Sequence, residues 1–259
     1  IAVSNFVKRE LVVAGYPEKI IKVIYNSIDS NLFDPSKFDK DKARKYFGLP
    51  LDRKIVAFPS RAIRPSTGKF GDQKNFITLA RAAKHIKEKF GDNFLIIFPT
   101  AVGFKENIVA KEKTLREFGK FIEEEGVADN FFEIKRKIQF AEMPILYRAS
   151  DVMCTPSKEE AFGLVFLEAM LMGVVPIGAL SGGVPEIIDD GNTGFLIDAK
   201  DHRRLSEIIV ELFTNDKKRI KMGKAARAAV IDKFSLEDMI KKIIETYKDA
   251  TKTVKGGMP

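Results

Sequence analysis

The sequence has few cysteines and few histidines, and it lacks a long apolar segment. Its 259 residues include one cysteine, Cys154, so an internal disulfide is excluded, and the apolar neighbours of this residue favour a small buried side chain over a reactive thiol. No apolar run reaches the roughly 18 residues that a membrane-spanning helix needs. No charged leader or signal peptide is recognisable. The sequence begins with the strand-like Ile1-Ala2-Val3 and without an initiator Met, so we expect a fragment of a longer protein, and the single cysteine fits a reducing cytoplasm.

Sequence signatures of metal and nucleic acid binding are absent as well. Neither a Cys/His cluster nor an Asp-x-Asp pair in a suitable loop is visible. The net charge of +8 comes from basic residues spread along the chain with acidic residues between them, without an RNP, zinc-finger or helix-turn-helix pattern. We therefore expect no metal cofactor and no nucleic acid partner, and we retain phosphorylated small molecules and an anionic membrane surface as candidates.

What the sequence does contain is an alternation of apolar strand patterns and amphipathic helix patterns, with 45% hydrophobic content for a sizeable core. Strand patterns occupy 1–3, 20–25, 54–59, 94–98, 131–134, 152–155, 174–178 and 194–197. Helix patterns occupy 39–46, 74–90, 111–125, 144–149, 164–172, 203–213, 217–234 and 236–247. Apolar strands separated by helices predict an α/β fold, a doubly wound parallel sheet with helices on both faces and C-terminal helices.

Ligands bind at the carboxyl ends of the strands in doubly wound folds. No internal repeat is apparent. Functional side chains are therefore expected just after Pro59, Phe98, Ile134, Thr155 and Gly178.

The segment 157–168 reads Ser-Lys-Glu-Glu-Ala-Phe-Gly-Leu-Val-Phe-Leu-Glu, follows one of these strands and leads into a helix. The backbone amides around Gly163 would point out of the helix start and, with the helix dipole, form an anion site. Glu160 precedes the helix and Glu168 lies about one turn beyond the phosphate position, a spacing that suits the two hydroxyl-bearing ends of a diphosphate-linked ligand. A helix cap followed by a surface glutamate explains these residues equally well.

The pattern Ser-x-x-Glu-x-Phe-Gly-Leu-x-x-x-Glu-Ala-Met at 157–170 resembles the Glu-x7-Glu motif of the family 4 (group 1) retaining glycosyltransferases. Three further segments, at 173–177, 181–188 and 191–196, also resemble that family, with small departures such as the transposed Val-Pro order in the first. The family has the GT-B architecture of two Rossmann-like domains. The resemblance, which covers nearly the whole chain, implies that this chain is the C-terminal donor-binding domain, one half of a GT-B fold.

The resemblance implies roles for the two glutamates and the helix start. It implies that Glu168 binds the ribose and that Glu160 supports the charge developing at the anomeric carbon of the donor sugar. The donor would be a nucleoside-diphosphate sugar, and no cofactor is implied. Ala161 stands where the family usually has glycine, which is tolerated if that residue needs no positive φ. The phosphates would be held by the backbone of Phe162, Gly163 and Leu164.

Two basic residues, one after the first sheet strand and one at the start of the next helix, form a second implied part of the site. A leaving nucleoside diphosphate gains charge on its phosphates, and cations aimed there stabilise the transition state. The family places an arginine and a lysine there, and Arg61 and Lys74 match those positions. The loop 62–73 between them is longer than usual, so Arg64 or Lys69 could replace one of these contacts.

Two further turns are implied to contact the donor. The turn after the strand at 131–134 would cover the nucleobase, with Ile138 on or beside the base and Arg136 close by, although a solvated basic rim is the other interpretation of Arg136. A glycine-rich loop would contact the sugar through Gly182, Gly183 and Glu186.

The resemblance divides the chain into three parts. Residues 1–35 would leave an N-terminal acceptor domain that is absent here, residues 36–235 would form the donor-binding domain, and residues 236–259 a C-terminal helix and tail. The full-length enzyme would transfer the sugar to an acceptor with retention of configuration and without a metal, and this chain alone would have little or no activity. A nucleotide-sugar epimerase of GT-B fold and a non-catalytic module for anionic ligands remain alternatives, and peripheral membrane contact stays open.

Overall fold

Parallel strands form the centre of the structure, a computed structural model that describes residues 1–60, 74–99 and 108–255. The strands are β1 (Lys54–Ala57), β2 (Phe94–Pro99), β3 (Phe131–Ile134), β4 (Val152–Thr155), β5 (Val175–Ala179) and β6 (Phe195–Ile197). Within the described residues they form one parallel sheet in the order β3-β2-β1-β4-β5-β6. The α-helices are α1 (Asn5–Val13), α2 (Lys40–Tyr46), α3 (Phe76–Phe90), α4 (Ile108–Glu124), α5 (Met143–Ala149), α6 (Leu164–Leu171), α7 (His202–Thr214), α8 (Asp216–Lys233) and α9 (Leu236–Lys255).

The central strands are buried on both faces because successive side chains point alternately into two helix layers. Val56 of β1 packs in a cluster with Leu79 of α3, whereas its neighbours Ile55 and Ala57 pack in another with Leu146 of α5. The three β1 residues have no exposed surface. This arrangement confirms the predicted doubly wound α/β fold with helices on both faces of the sheet.

Two predicted strands near the start of the chain are wrong. The β-branched runs at 1–3 and 20–25 contribute only an isolated parallel bridge between Ala2 and Val23. The sequence analysis also missed α1, which begins after Ser4, whose side chain caps the helix. One serine is a weak helix signal beside apolar runs, and a lone bridge has no neighbouring strand to extend it.

An ion cluster closes the amino end of β4. The side chain of Asp151, which directly precedes this strand, is buried, and its Oδ2 accepts hydrogen bonds from Arg44 at 2.9 Å and from the amide of Ile55 at 2.8 Å. Its Oδ1 accepts one from Lys40 at 2.6 Å, and Arg219 lies 3.5 Å away. Burial pushes the pKa of Asp151 up, but these partners outweigh burial and hold that pKa below its usual value. The cluster ties α2, β1, β4 and α8 together.

The single cysteine and the lengths of the apolar helices have counterparts in the structure. Cys154 lies in β4 with no exposed surface, and burial raises the pKa of its thiol well above the usual value, so its predicted buried position is confirmed. Over the ranges 1–60, 74–99 and 108–255, no helix is long and apolar enough to cross a membrane.

Candidate functional site

The loops at the carboxyl ends of β1 and β4 bring a lysine and a glutamate together. Lys74 lies just before α3, and its Nζ contacts Oε2 of Glu160 in the loop after β4. Both side chains are mostly covered, with 22% and 16% of their surfaces exposed. Ser157 Oγ lies 3.4 Å from the same carboxylate oxygen. We call this edge of the sheet, where the strands end, the carboxyl edge; the roles predicted for Lys74 and Glu160 stay predictions.

The turn before α3 is built around Asn75, which the sequence analysis did not single out. Its backbone is left-handed, with φ of 53° and ψ of 40°, and only 2% of the residue is exposed. The side-chain amide donates hydrogen bonds to the carbonyl of Pro156 at 3.0 Å and to the carbonyl of Ala199. These partners are distant in sequence, and no local pattern signals them.

The loop after β5 packs closely against the Glu160 loop through two hydrogen bonds. The amide of Gly183 donates to the carbonyl of Glu160 at 2.8 Å, and the Ser181 hydroxyl donates to the carbonyl of Ser157 at 3.0 Å. Gly182 has φ of 59°, and a Cβ there would lie 2.1 Å from the Glu160 carbonyl oxygen. Only glycine fits such an approach, so these glycines shape the Glu160 loop. Their contact with a sugar stays a prediction.

The start of α6 presents unpaired backbone donors. Gly163 precedes the helix with φ of 110°, and a Cβ there would lie 2.6 Å from the Phe166 ring, so this position requires glycine. The amide of Phe166 bonds to the Gly163 carbonyl at 3.0 Å. No residue in the described part of the chain accepts a hydrogen bond from the amides of Phe162, Gly163 or Leu164. Such free amides, together with the helix dipole, suit an anion, and the phosphate contact of Phe162, Gly163 and Leu164 stays a prediction.

Glu168 lies one turn into α6 and is only 6% exposed. The Tyr147 hydroxyl of α5 donates to its Oε2 at 2.7 Å. Burial raises the pKa of Glu168, and the Tyr147 hydrogen bond only partly offsets this effect. Burial also raises the pKa of Tyr147 well above its usual value, as does the neighbouring carboxylate. The alternative that Glu168 is a surface glutamate is wrong, and its role toward a ribose stays a prediction. The sequence analysis missed Tyr147, because an aromatic residue on an amphipathic helix usually signals core.

The turn after β3 holds Arg136 in surface contacts. Its guanidinium lies 2.8 Å from Glu142 Oε1 and over the rings of Tyr46 and Phe47, 5.2 and 5.4 Å from their centroids. Ile138 is partly buried and packs on the core cluster of β1, β2 and α5. These contacts favour the solvated-rim interpretation of Arg136, and nucleobase contacts of Arg136 and Ile138 stay predictions.

The Glu186 carboxylate lies at the start of α1. Its Oε1 accepts from the amide of Phe6 at 2.8 Å, and its Oε2 accepts from the amide of Asn5 at 2.9 Å and from the Tyr25 hydroxyl at 3.0 Å. Burial raises the pKa of Glu186, but these donors outweigh burial and leave the pKa below its usual value. The structure thus gives Glu186 a capping function that the sequence analysis did not foresee, and its sugar contact stays a prediction.

Arg61 and the loop residues Arg64 and Lys69 lie outside the described residues. The predicted pairing of Arg61 with Lys74 across the diphosphate therefore stays a prediction. Over the parts of the chain that the structure describes, no group of three or more His, Cys, Asp or Glu side chains could hold a metal ion.

A family model matches most of the chain. The model described as glycosyl transferases group 1 aligns with residues 40–229, well over half of the sequence. The matched range includes Lys74, Glu160 and Glu168 and therefore the described part of the carboxyl edge.

Two curated proteins resemble the chain over most of its length. The N-acetyl-alpha-D-glucosaminyl L-malate synthase of Bacillus anthracis is 28% identical over 261 residues, covering 99% of this chain and 61% of that protein. The D-inositol 3-phosphate glycosyltransferase of Mycolicibacterium smegmatis is 31% identical over 232 residues, covering 89% of this chain and 48% of that protein. The chain thus spans about half to three fifths of the length of these relatives.

Solved structures share the fold. The Anabaena protein Alr3699/HepE, in complex with UDP, has a TM-score of 0.82 and 25% identity, with 96% of this chain and 63% of that chain covered. A glycosyltransferase from Rickettsia africae has a TM-score of 0.81 and 25% identity, with 96% and 62% covered. These similarities confirm the predicted Rossmann-like fold of a GT-B half.

Proposed function

The chain belongs to the group 1 glycosyl transferases, and from this membership we propose that it binds a nucleoside-diphosphate sugar at its carboxyl edge. The observation that carries the proposal is the position of Lys74 against the Glu160 loop, which leads directly into the unpaired amides at the start of α6. A cation and several free N–H donors at the same edge of the sheet suit a diphosphate, because ammonium and amide groups both hydrogen-bond to anionic oxygens.

Lys74 and Glu160 change partners on donor binding in this proposal. Without ligand, Lys74 is neutralised by Glu160. A diphosphate carries more negative charge than a carboxylate and draws Lys74 toward it, which frees Glu160 to face the sugar. Glu160 then supports the positive charge that develops at the anomeric carbon, while Lys74 and Arg61 stabilise the leaving diphosphate.

Glu168 is proposed to hold the ribose. Its Oε2 is engaged by Tyr147, so Oε1 accepts from a ribose hydroxyl. The burial of Glu168 makes this hydrogen bond strong, because little water competes for the carboxylate. A donor bound in this way would also pack its base near Ile138 and Arg136 and its sugar near Gly182, Gly183 and Glu186.

The full-length enzyme is proposed to transfer the sugar to an acceptor with retention of configuration. The bond between the anomeric carbon and the β-phosphate oxygen breaks, and the acceptor oxygen bonds to the same face of that carbon. The acceptor hydroxyl gives its proton to the leaving diphosphate, so the products are the glycosylated acceptor and the protonated nucleoside diphosphate. We propose that the cations Lys74 and Arg61 take the part that a metal would otherwise have, with no cofactor. Because the chain spans only part of its relatives, we propose that a further N-terminal domain binds the acceptor and that this chain alone has little activity. We propose that the enzyme works in the cytoplasm. If its acceptor is a lipid, transfer takes place at an anionic membrane surface.

The donor-site proposal is tested by titrating the chain with UDP, GDP and ADP in a calorimeter. UDP is the first probe, since the similar Anabaena protein was solved with it. Hydrogen bonds to charged groups contribute about 1.5–3 kcal/mol each, so the double variant Lys74→Ala plus Glu168→Ala should bind the preferred nucleotide at least about 100-fold more weakly.

A matched control removes the same two residue types from the surfaces of α3 and α7. Lys84→Ala plus Glu207→Ala removes an exposed lysine and an exposed glutamate, and it should leave nucleotide affinity within about twofold. Equal nucleotide affinity of the wild type and the Lys74/Glu168 double variant would contradict the proposal.

A further inference from the structure

Asn75 is held in a backbone conformation that usually favours glycine. Among the described residues it is the one non-glycine residue with a positive φ, 53°. Asparagine tolerates this left-handed region better than most residues, but glycine would adopt it without penalty. The presence of a side chain here therefore calls for an interaction that only the side chain provides.

The Asn75 side chain joins three loops of the carboxyl edge. Its amide donates to the carbonyl of Pro156, after β4, and to the carbonyl of Ala199, after β6. The Thr78 hydroxyl, one turn into α3, lies 3.1 Å from Asn75 Oδ1 and 2.9 Å from the Ala199 carbonyl oxygen. Because Asn75 is 2% exposed, water does not compete for these bonds.

This junction lies next to both members of the Lys74–Glu160 pair. Lys74 directly precedes Asn75, and Pro156 directly precedes the Ser157–Glu160 loop. A hydrogen bond between Asn75 and Pro156 therefore fixes the backbone that carries the lysine relative to the backbone that carries the glutamate.

We propose that Asn75 is a positioning residue for donor binding, which holds Lys74 where its ammonium group meets the diphosphate. Asn75 does not touch the ligand; it acts through Lys74. The inference rests on the proposed function, because it assigns Asn75 to the same site.

The test is a double-mutant cycle between Asn75→Gly and Lys74→Ala. Glycine accepts the left-handed backbone, so Asn75→Gly removes the side-chain bonds without backbone strain. Calorimetry with UDP, GDP or ADP, whichever the wild type binds most tightly, should show about tenfold weaker binding for Asn75→Gly. In the Lys74→Ala background the same substitution should cost less than twofold, because the residue through which it acts is gone. An equal loss in both backgrounds would mean a general structural role and would overturn the inference.

Two further variants serve as a replacement for Asn75→Gly and as a control. Asn75→Asp keeps the size and tolerates the left-handed region, but it has no N–H donors for the two carbonyls; it takes the place of Asn75→Gly in the cycle if the glycine variant shows no cooperative thermal transition. Asn192→Gly is the matched control, since Asn192 is exposed and its side chain donates to Asp189 at the surface, and it should leave affinity unchanged.

The failure of this inference differs from the failure of the proposed function. Tight wild-type binding that is lost in Lys74→Ala but kept within twofold in Asn75→Gly and Asn75→Asp overturns the positioning role alone. A wild-type chain that binds none of the three nucleotides overturns both.

Discussion

One buried carboxylate directly precedes β4 and another lies in α6, the helix that follows β4, and the two have opposite electrostatic environments. Before the strand, Asp151 is paired with Arg44 and Lys40, which, with the other partners, hold its pKa below normal despite burial. In the helix after the strand, the Glu168 side chain has one hydrogen-bond partner among the described residues, the neutral Tyr147 hydroxyl, and burial raises its pKa. Both carboxylates are covered by the protein, so the contrast comes from their partners and not from exposure.

The contrast separates an edge closed by ion pairs from the edge at which we propose donor binding. At the amino end of the strands, the lining of a cavity of about 390 Å³ includes Arg219, which lies 3.5 Å from Asp151, and Arg227, which donates to the Phe33 carbonyl. At the carboxyl edge, the amides around Gly163 have no acceptor among the described residues. At the first edge the chain's own carboxylate and carbonyl groups engage these cations, whereas the donor site that we propose lies at the second edge.

Removal of the Asp151 side chain should have the largest effect on stability. Asp151→Ala leaves Arg44, which is 5% exposed, as a buried charge without its carboxylate, and breaking such a pair costs about 3–5 kcal/mol. Urea denaturation measures the free energy of unfolding. Asp249→Ala, which breaks an exposed pair with Lys22, should cost less than about 1 kcal/mol and serves as the control. A loss below about 1 kcal/mol for Asp151→Ala would contradict the structural assignment of the amino end.

The next largest loss of unfolding free energy is expected from Gly182→Ala, with Gly191→Ala as its matched variant. Both glycines are left-handed, with φ of 59° and 77°, but a Cβ at Gly191 meets nothing within 4 Å, whereas one at Gly182 collides with the Glu160 carbonyl. Strain alone should cost about 1–2 kcal/mol at Gly191, and the collision should add about 1–3 kcal/mol at Gly182. Only Gly182→Ala should also weaken nucleotide binding, by about tenfold. Equal effects of the two variants on stability and binding would rule out the close packing as a determinant of the site.

A smaller effect is expected from Tyr147→Phe. Loss of the hydroxyl leaves one oxygen of the buried Glu168 without its donor, which costs about 1–3 kcal/mol of unfolding free energy. Because this hydrogen bond lowers the pKa of Glu168, its removal should raise that pKa further, as measured by NMR titration of the carboxyl carbon. Tyr247→Phe, at an exposed tyrosine of α9, is the control and should change neither quantity. An unaltered Glu168 titration in Tyr147→Phe would count against the described contact.

The smallest stability change should come from Glu168→Gln, and it should depend on pH. Burial raises the pKa of Glu168 above its usual 4.5, so its contribution to stability is full below 4.5 and is lost as pH rises through the raised pKa. Gln mimics the protonated carboxyl, so the stability of the variant relative to wild type should increase with pH across that window in urea denaturation series. For Asp151 the direction is opposite, since its contribution is lost as pH falls through the lowered pKa. A relative stability of Glu168→Gln that falls with pH would reverse the assignment.

Local sequence patterns predicted the strands of the sheet, but they did not predict the long-range contacts at the edges of the sheet. The strand patterns at 131–134 and 152–155 coincide with β3 and β4, because short apolar runs between turns are a complete local signal. The Asn75 contact with Ala199 and the Glu186 contact with Asn5 span 124 and 181 residues, and nothing near either residue specifies its partner. The motif at 157–168 placed Glu160 and Glu168 after a buried strand, as the structure has them, but it gave no sign of the hydrogen bond between Glu168 and Tyr147 of another helix.

Amide hydrogen exchange with and without nucleotide shows directly which edge of the sheet binds the ligand. UDP, GDP and ADP are each added to the chain at saturating concentration, and protection is mapped by mass spectrometry. The account predicts protection at the carboxyl edge, in peptides that cover 74–78, 157–168 and 181–186. Protection confined to 40–44, 148–151 and 219–227, which line the cavity at the amino end, would contradict it, as would no protection by any of the three nucleotides.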